Sequence, residues 1–407
     1  MVNSPVRPVA RTLPPQARTI IAGFGVSYLG TGLIMPVNVI YLSDVAHLAA
    51  PVVAAFYLLL PAFGLLGGVF GGRLVDQVGA RQVGTVGFAL QGLGWLIVPM
   101  SSGIAWVCGA AIVAGLGTGA AATALRSQLS LVCPPHLRGR AFAVRNLAVN
   151  IGAAVGALAV AALAVRHAVP YTALYVLNAL SFWAFGLVMW RLTRQPAAAS
   201  PSPPAPGDRA NLLGLPGLVA GLTGHLLVFA GGLALVESVF PLILHDLLTQ
   251  PIAVVGTAIA ASTVTAVLVQ LPVERLLRPS SARVRFAWHS GCWAVAWLLG
   301  AVAGASTGVV RTILVFTMMV FFSTGACIYH AAFQPHLSLV VPDERLGTAN
   351  GLVSIAFNAG SILGASGFVL LLAVLSHPWH AFAVLGMAAA ASAIALQRFA
   401  ASGRPAT

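Results

Sequence analysis

Residues 72–81 read GRLVDQVGAR and stand between two long apolar runs. Gly72 and Gly79 let neighbouring backbones approach closely and turn tightly, because glycine has no side chain to obstruct either. Asp76 and Arg81 can pair with each other or bond the ends of helices at the edge of an apolar layer. The segment therefore predicts a short, tight connection between two membrane spans.

The composition outside this segment is that of a membrane protein. Of 407 residues, 59% are hydrophobic and 7% are charged, whereas about a quarter of a soluble domain is charged. About 20 apolar residues cross a bilayer as a helix, so the apolar content suffices for about twelve spans. A transmembrane barrel needs alternating polar residues along every strand, and that alternation is missing. The expected fold class is an all-α membrane protein with twelve transmembrane helices.

Apolar runs separated by Arg, Pro or Asp predict two sets of six spans. The spans are expected near 19–42, 50–72, 82–100, 104–132, 141–165, 170–191, 214–245, 251–277, 286–303, 309–338, 347–375 and 379–397. They divide the chain into a tail (1–18), a six-helix bundle (19–194), a central loop rich in Pro, Ala and Ser (195–213), a second bundle (214–398) and a tail (399–407).

The basic residues predict the orientation of the chain. All 21 are arginines, and placing the N-terminus in the cytoplasm leaves only Arg166 and Arg311 in outer loops. Arg126 and Arg145 fall within spans. Because short loops rich in Arg stay in the cytoplasm, both termini and the central loop are predicted to be cytoplasmic. The predicted location is the bacterial cytoplasmic (inner) membrane.

The two halves repeat one another at a fixed offset. The segment LSLVCP at 129–134 recurs as LSLVVP at 337–342, and N-x-G-x-x-x-G-A at 150–157 recurs at 358–365, both 208 residues further on. This predicts two copies of a six-helix unit in the same orientation, as in transporters whose substrate site lies between the halves. The glycines of the second pattern are expected to allow close helix packing; they are Gly152, Gly156, Gly360 and Gly364.

The segment at 72–81 resembles the signature G-x-L-x-D-x-x-G-x-R of the major facilitator superfamily, after span two, where that family carries it. Twelve spans, duplicated halves and a long central loop extend the resemblance over the whole chain. It implies two six-helix bundles that open a central cavity alternately to each side of the membrane. It also implies that Gly72, Asp76, Gly79 and Arg81 form a gating loop on the cytoplasmic side.

Within this family the chain resembles drug/proton antiporters of the twelve-span type. Their second-half copy of the signature is often degenerate, and here 270–275 keeps only an acid, Glu274. Their span-five pattern G-x-x-x-G-P is incomplete, with Ala157 in place of proline, and the arginine usual early in span four is missing from 111–115. These departures favour the alternative, uptake or facilitated diffusion of a small metabolite by the same fold.

Proton coupling requires a group within a span that can load and release a proton. Glu237, four residues before Pro241 in span seven, is the first candidate. Asp44, at the outer end of span one, is the second. For Glu237 the alternative is a carboxylate near the outer membrane face, in water or paired with an arginine. For Asp44 the alternative is a solvated cap at the end of the span.

Polar side chains in other spans are candidates for lining a substrate cavity. They are Tyr28, Thr31, Asn38, Arg126, Asn146, Asn150, His225, His330, Gln334 and Asn358. Arg126 keeps its charge at physiological pH, so it can contact an acidic substrate group, neutralise a carboxylate or extend to the cytoplasm. For the others, and above all for the two histidines, the alternative is a hydrogen bond between packed helices.

Other classes of function find no support. A chain without lysine cannot contain a P-loop. Residues 304–308, GASTG, fit the G-x-S-x-G pattern of hydrolases but lie in a short outer loop without acid or base partners. The arginines follow no single face with interleaved aromatic residues, as nucleic-acid binding would require, and the four cysteines lack metal-ligand spacing. We expect that the protein is not an enzyme and that it binds no cofactor and no metal.

The sequence thus predicts a secondary active transporter that exports amphipathic small molecules or drugs in exchange for protons, and so contributes to antibiotic resistance. An apolar cavity with few fixed charges suits such substrates better than sugars. The expected partners are the substrate, protons and the lipid bilayer, and the expected state is a monomer.

Overall fold

The computed structural model describes residues 12–35, 38, 41–100, 103–165, 170–192, 212–235, 240, 243–250, 252–372 and 377–402. Within these ranges, twelve helical segments are long and apolar enough to cross a membrane, which confirms the predicted fold class. The helices are α1 (Pro15–Ile34), α2 (Ala50–Val78), α3 (Ala80–Ile97), α4 (Ile104–Val132), α5 (Pro135–Val165), α6 (Tyr171–Leu192), α7 (Leu218–Ala230), α8 (Ile252–Leu277), α9 (Ala282–Ala305), α10 (Gly308–Val340), α11 (Leu346–Leu372) and α12 (Pro378–Ala401).

Two of the predicted spans are not continuous helices. Spans 19–42 and 214–245 correspond to α1 and α7, which end at Ile34 and Ala230. Separate π turns follow at Tyr41–Val45 and Ile243–Leu247. After α7 the chain continues through two glycines, which are poor helix formers. The second, Gly232, passes so close to the Trp293 ring that no Cβ atom fits there.

Several helices also extend beyond the predicted boundaries. α5 begins at Pro135 and α9 at Ala282, because arginine is a good helix former and its long stem carries the guanidinium out of the apolar layer. Residues 72–78 form the end of α2 and not a loop, and α3 begins at Ala80. The predicted connection is therefore reduced to a single residue, Gly79.

Helix packing follows the repeat. In the N-terminal bundle, α1 packs on α5 and α6, α2 on α4, and α3 on α4 and α6; in the C-terminal bundle, α7 packs on α11 and α12, α8 on α10, and α9 on α10 and α12. The two bundles meet where α2 crosses α11, where α5 contacts α8 and α10, and where α4 contacts α11. The polar groups of interest lie along these inter-bundle contacts.

The glycine pairs of spans five and eleven lie at matching crossings. Gly152 and Gly156 of α5 face the backbone of α1 so closely that an added Cβ atom would overlap it. In the second bundle, a Cβ at Gly360 would lie 2.5 Å from the Leu226 carbonyl oxygen, and one at Gly364 2.7 Å from that of Ala230. Each pair brings two helix backbones into direct contact.

The described connections lie on two faces of the molecule. We call the terminal face the one where α1 begins and α12 ends; it also contains Gly79, residues 133–134, 278–281 and 341–345. The distal face contains both π turns, the 3-10 turn Val98–Met100 and residues 306–307.

Candidate functional site

Asp76, in the last turn of α2, binds the first turn of α11. Its carboxylate oxygens accept hydrogen bonds from the backbone N–H groups of Gly347 and Thr348, each at 2.7 Å, and from the Thr348 hydroxyl. The first N–H groups of a helix have no partner within it and carry partial positive charge. A carboxylate of one bundle thus caps a helix of the other at the terminal face.

The crossing of α2 and α11 next to this cap is made of glycines from both helices. A Cβ atom at Gly72 would lie 2.7 Å from the Gly347 carbonyl oxygen, and one at Gly351 would lie 2.7 Å from the Gly68 carbonyl oxygen. Small residues permit such close backbone contact in membranes. At Gly72 and Gly351 the two backbones meet directly, whereas side chains of the opposite helix pack against Gly68 and Gly347.

The other two residues of the predicted gating loop lie away from the cap. Gly79 has a φ of 93°, which glycine adopts without strain, and it lets α3 begin directly after α2. The Arg81 guanidinium lies 4.3 Å from the centre of the Trp190 ring. Of the two interactions predicted for these charges, the structure therefore contains the helix-end bond of Asp76 and not an Asp76–Arg81 pair.

Arg138 on α5 bonds equivalent positions in the two halves of the repeat. Its Nε donates to the Ser130 carbonyl and its Nη1 to the Ser338 carbonyl, each at 2.9 Å; these residues differ by the 208-residue offset. Both carbonyls lie in last helical turns, of α4 and α10, where acceptors lack helical partners and carry partial negative charge. Nη2 also lies 3.5 Å from Asp343 Oδ1. This buried side chain is the second link between the bundles.

Glu274 is a partial counterpart of Asp76. It lies near the end of α8, buried, and its Oε1 is 4.0 Å from the position of a Cβ atom on Gly139. Gly139 of α5 precedes Gly347 by the repeat offset. Arg285 lies within electrostatic range of Glu274, so this acid approaches the helix start without making the bonds that Asp76 makes.

Toward the middle of the molecule, polar side chains continue the contact between the bundles. Arg126 of α4 donates from Nη2 to the Ser354 hydroxyl and, at 3.4 Å, to the Asn350 carbonyl. Asn146 of α5 donates to the Gln270 amide oxygen at 2.8 Å. Between described residues, the hydrogen bonds that join the bundles all lie between this level and the terminal face. These hydrogen bonds hold the two bundles together at the terminal face.

Arg126 is accompanied by a second arginine, Arg145 of α5. The Arg145 guanidinium lies 4.8 Å from the centre of the Phe24 ring. The two arginines lie within electrostatic range of each other and of Tyr28. Both are half-buried, and the Nε atom of each is shielded from solvent without a hydrogen-bond partner. Two positive charges thus lie side by side between the bundles.

Two histidines approach these arginines from the C-terminal bundle. His225 of α7 is within electrostatic range of Arg126, and His330 of α10 is within range of Arg145. His225 is buried, and its Nδ1 lies 2.5 Å from the Tyr329 hydroxyl, whereas His330 is half-buried. We call the group formed by Tyr28, Arg126, Arg145, Asn146, His225 and His330 the central site. Asn150, one turn beyond Asn146, is also half-buried.

Asn38 does not belong to the central site. Its side chain donates to the Tyr57 hydroxyl at 2.7 Å and accepts from the Tyr175 hydroxyl at 2.6 Å. It is 2% exposed, so in this conformation the prediction that it lines a cavity is wrong. The alternative, a hydrogen bond between helices of one bundle, describes it.

Three further candidates are occupied by bonds of their own. Gln334 donates to the Asn350 side chain at 2.6 Å, Asn358 to the Ser354 carbonyl of its own helix at 2.8 Å, and Thr31 to the Ser27 carbonyl at 3.4 Å. Gln334 and Asn358 are buried. Their polar groups are therefore engaged within the protein in this conformation, and their role in lining a cavity stays a prediction.

The candidates for proton coupling cannot be placed in the same way. Glu237 lies outside the described residues, and so does the side chain of Asp44, whose backbone belongs to the π turn at the distal face. The carboxylates that the structure describes lie at the terminal face; they are Asp76, Glu274, Asp343 and Glu344. Within the described part of the chain no group of three His, Cys, Asp or Glu could hold a metal ion.

Sequence reasoning missed two residues of these contacts. Arg145 was noted as lying within a span but not assigned to the cavity, although the rule that selected Arg126, an ionisable group at membrane depth, applies equally to it. Arg138 was counted only among the arginines that set orientation. Arg138 follows the segment LSLVCP at 129–134, and nothing in the sequence indicates that its side chain reaches the second copy of that segment at 337–342.

Comparison with known proteins gives one family. The model described as Major Facilitator Superfamily matches residues 20–248, more than half of the chain. No curated protein sequence matches this one.

Solved structures share the fold over nearly the full length. A bacterial homologue of the iron transporter ferroportin in an outward-facing state has a TM-score of 0.75 and 15% identity, covering 96% of this chain and 99% of that one. The human organic anion transporter MFSD10 (TETRAN) has a TM-score of 0.72 and 14% identity, covering 94% and 100%. The proton:xylose symporter XylE has a TM-score of 0.73 and 14% identity, covering 93% and 94%. At such identities the likeness shows the fold alone.

The twelve spans, the repeated packing of two bundles and the segment at 72–81 agree with the family match. Members of this family are transporters and not enzymes, and they move small molecules across membranes. The chain belongs to the Major Facilitator Superfamily.

Proposed function

We propose that the protein is a secondary active transporter that exports amphipathic small molecules in exchange for protons. The observation that carries this proposal is the central site, a polar group between two bundles whose described hydrogen bonds to each other lie between this level and the terminal face. A site in that position is reached from one face of the membrane at a time. Alternating access requires that arrangement.

The contacts that close the terminal face are of a kind that can break without unfolding either bundle. They are bonds from Asp76 and Arg138 to helix ends, and a crossing of glycines. The hydrophobic cores lie within each bundle and do not run across the interface. Each bundle can therefore rock as a unit.

For orientation we propose that the terminal face is cytoplasmic and that the membrane is the bacterial cytoplasmic one. Support comes from arginines that lie in the first or last turn of the described helices at this face. They are Arg81, Arg138, Arg191, Arg275 and Arg398. Short connections rich in Arg stay inside. We further propose that the protein works as a monomer.

For proton coupling we propose Glu237, with Asp44 as the second carrier. The carboxylates that the structure describes lie at the terminal face, whereas a carrier must lie on the path across the membrane, so the support for these two acids comes from their positions in the sequence. These two are acids that the sequence places within or at the outer end of the cavity-forming spans one and seven.

The test is proton movement in vesicles that contain the purified protein and an imposed pH gradient. Aromatic amphiphiles of each charge type are added, and the gradient is followed with a pH dye. We expect at least one type to dissipate the gradient through the wild type and not through Glu237→Gln. Glu344→Gln makes the same chemical change at an exposed position on the terminal face and should behave as wild type. Uptake of a compound without proton movement would contradict exchange and indicate facilitated diffusion.

A further inference from the structure

Arg126 and Arg145 lie well inside the membrane. Arg126 is six residues before the end of α4, and Arg145 is ten residues after the start of α5. At 1.5 Å per residue these positions are about 9 and about 15 Å from the helix ends at the terminal face. That face is closed by the contacts of Asp76 and Arg138.

Among the described residues, no carboxylate neutralises these arginines. Arg126 donates to a hydroxyl and a carbonyl, which are uncharged acceptors, and Arg145 faces the ring of Phe24. Both Nε atoms lack an acceptor. The described carboxylates lie at the terminal face, away from the pair. A guanidinium does not lose its proton at physiological pH, so the pair remains doubly charged.

A buried charge in a membrane requires an anion or water. Both arginines are half-buried, so part of each side chain remains open to solvent. Guanidinium groups bind carboxylate, sulfonate and phosphate groups through parallel hydrogen bonds. Two guanidinium groups within electrostatic range of each other favour the binding of such an anionic group.

Aromatic rings of the opposite bundle pack around His225. His225, within electrostatic range of Arg126, packs against Phe229 and Phe333 with ring centres 4.9 and 4.5 Å apart. Phe229 in turn packs edge-on to Phe357 at 4.6 Å. An apolar or aromatic body can contact this surface while its charged group lies on the arginines.

We infer that the central site binds amphipathic organic anions, with the acidic group of the substrate held between Arg126 and Arg145. This inference rests on the proposed transport function and specifies its substrate class. An anion that leaves the cell also moves with an inside-negative membrane potential, which agrees with the proposed direction of export.

The test is equilibrium binding to the full-length protein in lipid nanodiscs. Three probes share one aromatic body and differ in charge: naphthalene-2-sulfonate, neutral naphthalene-2-sulfonamide and 2-naphthyltrimethylammonium. We expect the sulfonate to bind the wild type at least tenfold more tightly than the sulfonamide, and the cation to bind least. Arg126→Gln and Arg145→Gln should each reduce the preference for the sulfonate about tenfold, and the double variant should have none.

Two further variants separate charge from folding. Arg275→Gln removes an exposed arginine at the terminal face and should bind the probes as wild type does. The double variant Arg126→Lys/Arg145→Lys keeps both charges and should still bind the sulfonate more tightly than the sulfonamide. The Gln variants lose no ion pair to a described carboxylate, so they should remain folded, with an unfolding temperature near that of the wild type.

The inference is overturned if the wild type binds no sulfonate, if it binds sulfonate and sulfonamide equally, or if the preference persists in the double Gln variant. These outcomes differ from a failure of the proposed function. Binding with the expected preference but no flux in vesicles would refute transport and keep the anion site, whereas flux of neutral or cationic compounds alone would do the reverse.

Discussion

Replacing Arg138 by Gln should loosen the terminal face. In the closed form the side chain makes one charge-assisted hydrogen bond across the interface, to the Ser338 carbonyl at 2.9 Å, and one ion pair to Asp343, which is 58% exposed. Hydrogen bonds to charged groups contribute about 1.5–3 kcal/mol, and an exposed ion pair contributes about 0–1 kcal/mol. The bonds to Ser130 and Cys133 lie within one bundle and persist when the face opens.

The cross-interface part is therefore about 2 kcal/mol, so the ratio of closed to open molecules should fall about 30-fold. Spin labels at Arg191 and Arg398, exposed positions near the terminal-face ends of α6 and α12, report the distance between bundles by pulsed electron resonance. We expect a longer-distance population to grow in Arg138→Gln and, to a smaller extent, in Arg138→Lys, which keeps the charge but loses the planar fork. Arg275→Gln is the control, and a closed-to-open ratio in Arg138→Gln within twofold of that control would refute the reasoning.

Three further predictions use the same face. Asp76→Asn removes the charge that caps α11, which should cost about 1 kcal/mol and shift the distance distribution about fivefold toward the open form; an unchanged distribution would show that the cap does not hold the face closed. Gly72→Ala places a methyl group 2.7 Å from the Gly347 carbonyl oxygen, whereas the methyl group of Gly291→Ala meets nothing within 4 Å. Only Gly72→Ala should therefore favour the open form in the same distance measurement. Equal distance distributions in the two variants would contradict the contact. Burial raises the pKa of the Cys133 thiol from 9.0 to about 11, although Arg138 lowers it. In a variant with Cys133 as its single cysteine, alkylation by iodoacetamide at pH 7 should be about a hundredfold slower than in the unfolded chain, because less thiolate is present. An alkylation rate of the folded protein within tenfold of the unfolded rate would contradict that shift.

The number and approximate position of the helices could be predicted because one physical quantity, apolar length, determines both. The correspondence between helices of the two halves could be predicted from the duplicated motifs, because two motifs at the same offset imply the same topology in both halves. The ends of the helices were less predictable. Arg138 and Arg285 lie inside helices because their stems tolerate the membrane edge, and α7 ends at Ala230 because glycines and the Trp293 ring meet there.

The central site was predictable only in part. Arg126 was selected because a charge at membrane depth is costly, but nothing in one sequence shows which helices bring it to Arg145. Asn38 and Asn146 are equally polar residues within spans, and yet one bonds two tyrosines of its own bundle and the other bonds Gln270 across the interface. That difference depends on helix rotation, which apolar length does not determine.

The glycine crossing of α2 and α11 has a consequence for the speed of conformational change. Where side chains of two helices interdigitate, separation requires rotamer changes and passes through states with lost packing, both of which raise an activation barrier. At Gly72 and Gly351 the two backbones meet directly, so few side chains have to change rotamer when the helices separate there. The free energy that favours the closed form then comes from the polar bonds beside the crossing, while the crossing itself keeps the interconversion fast.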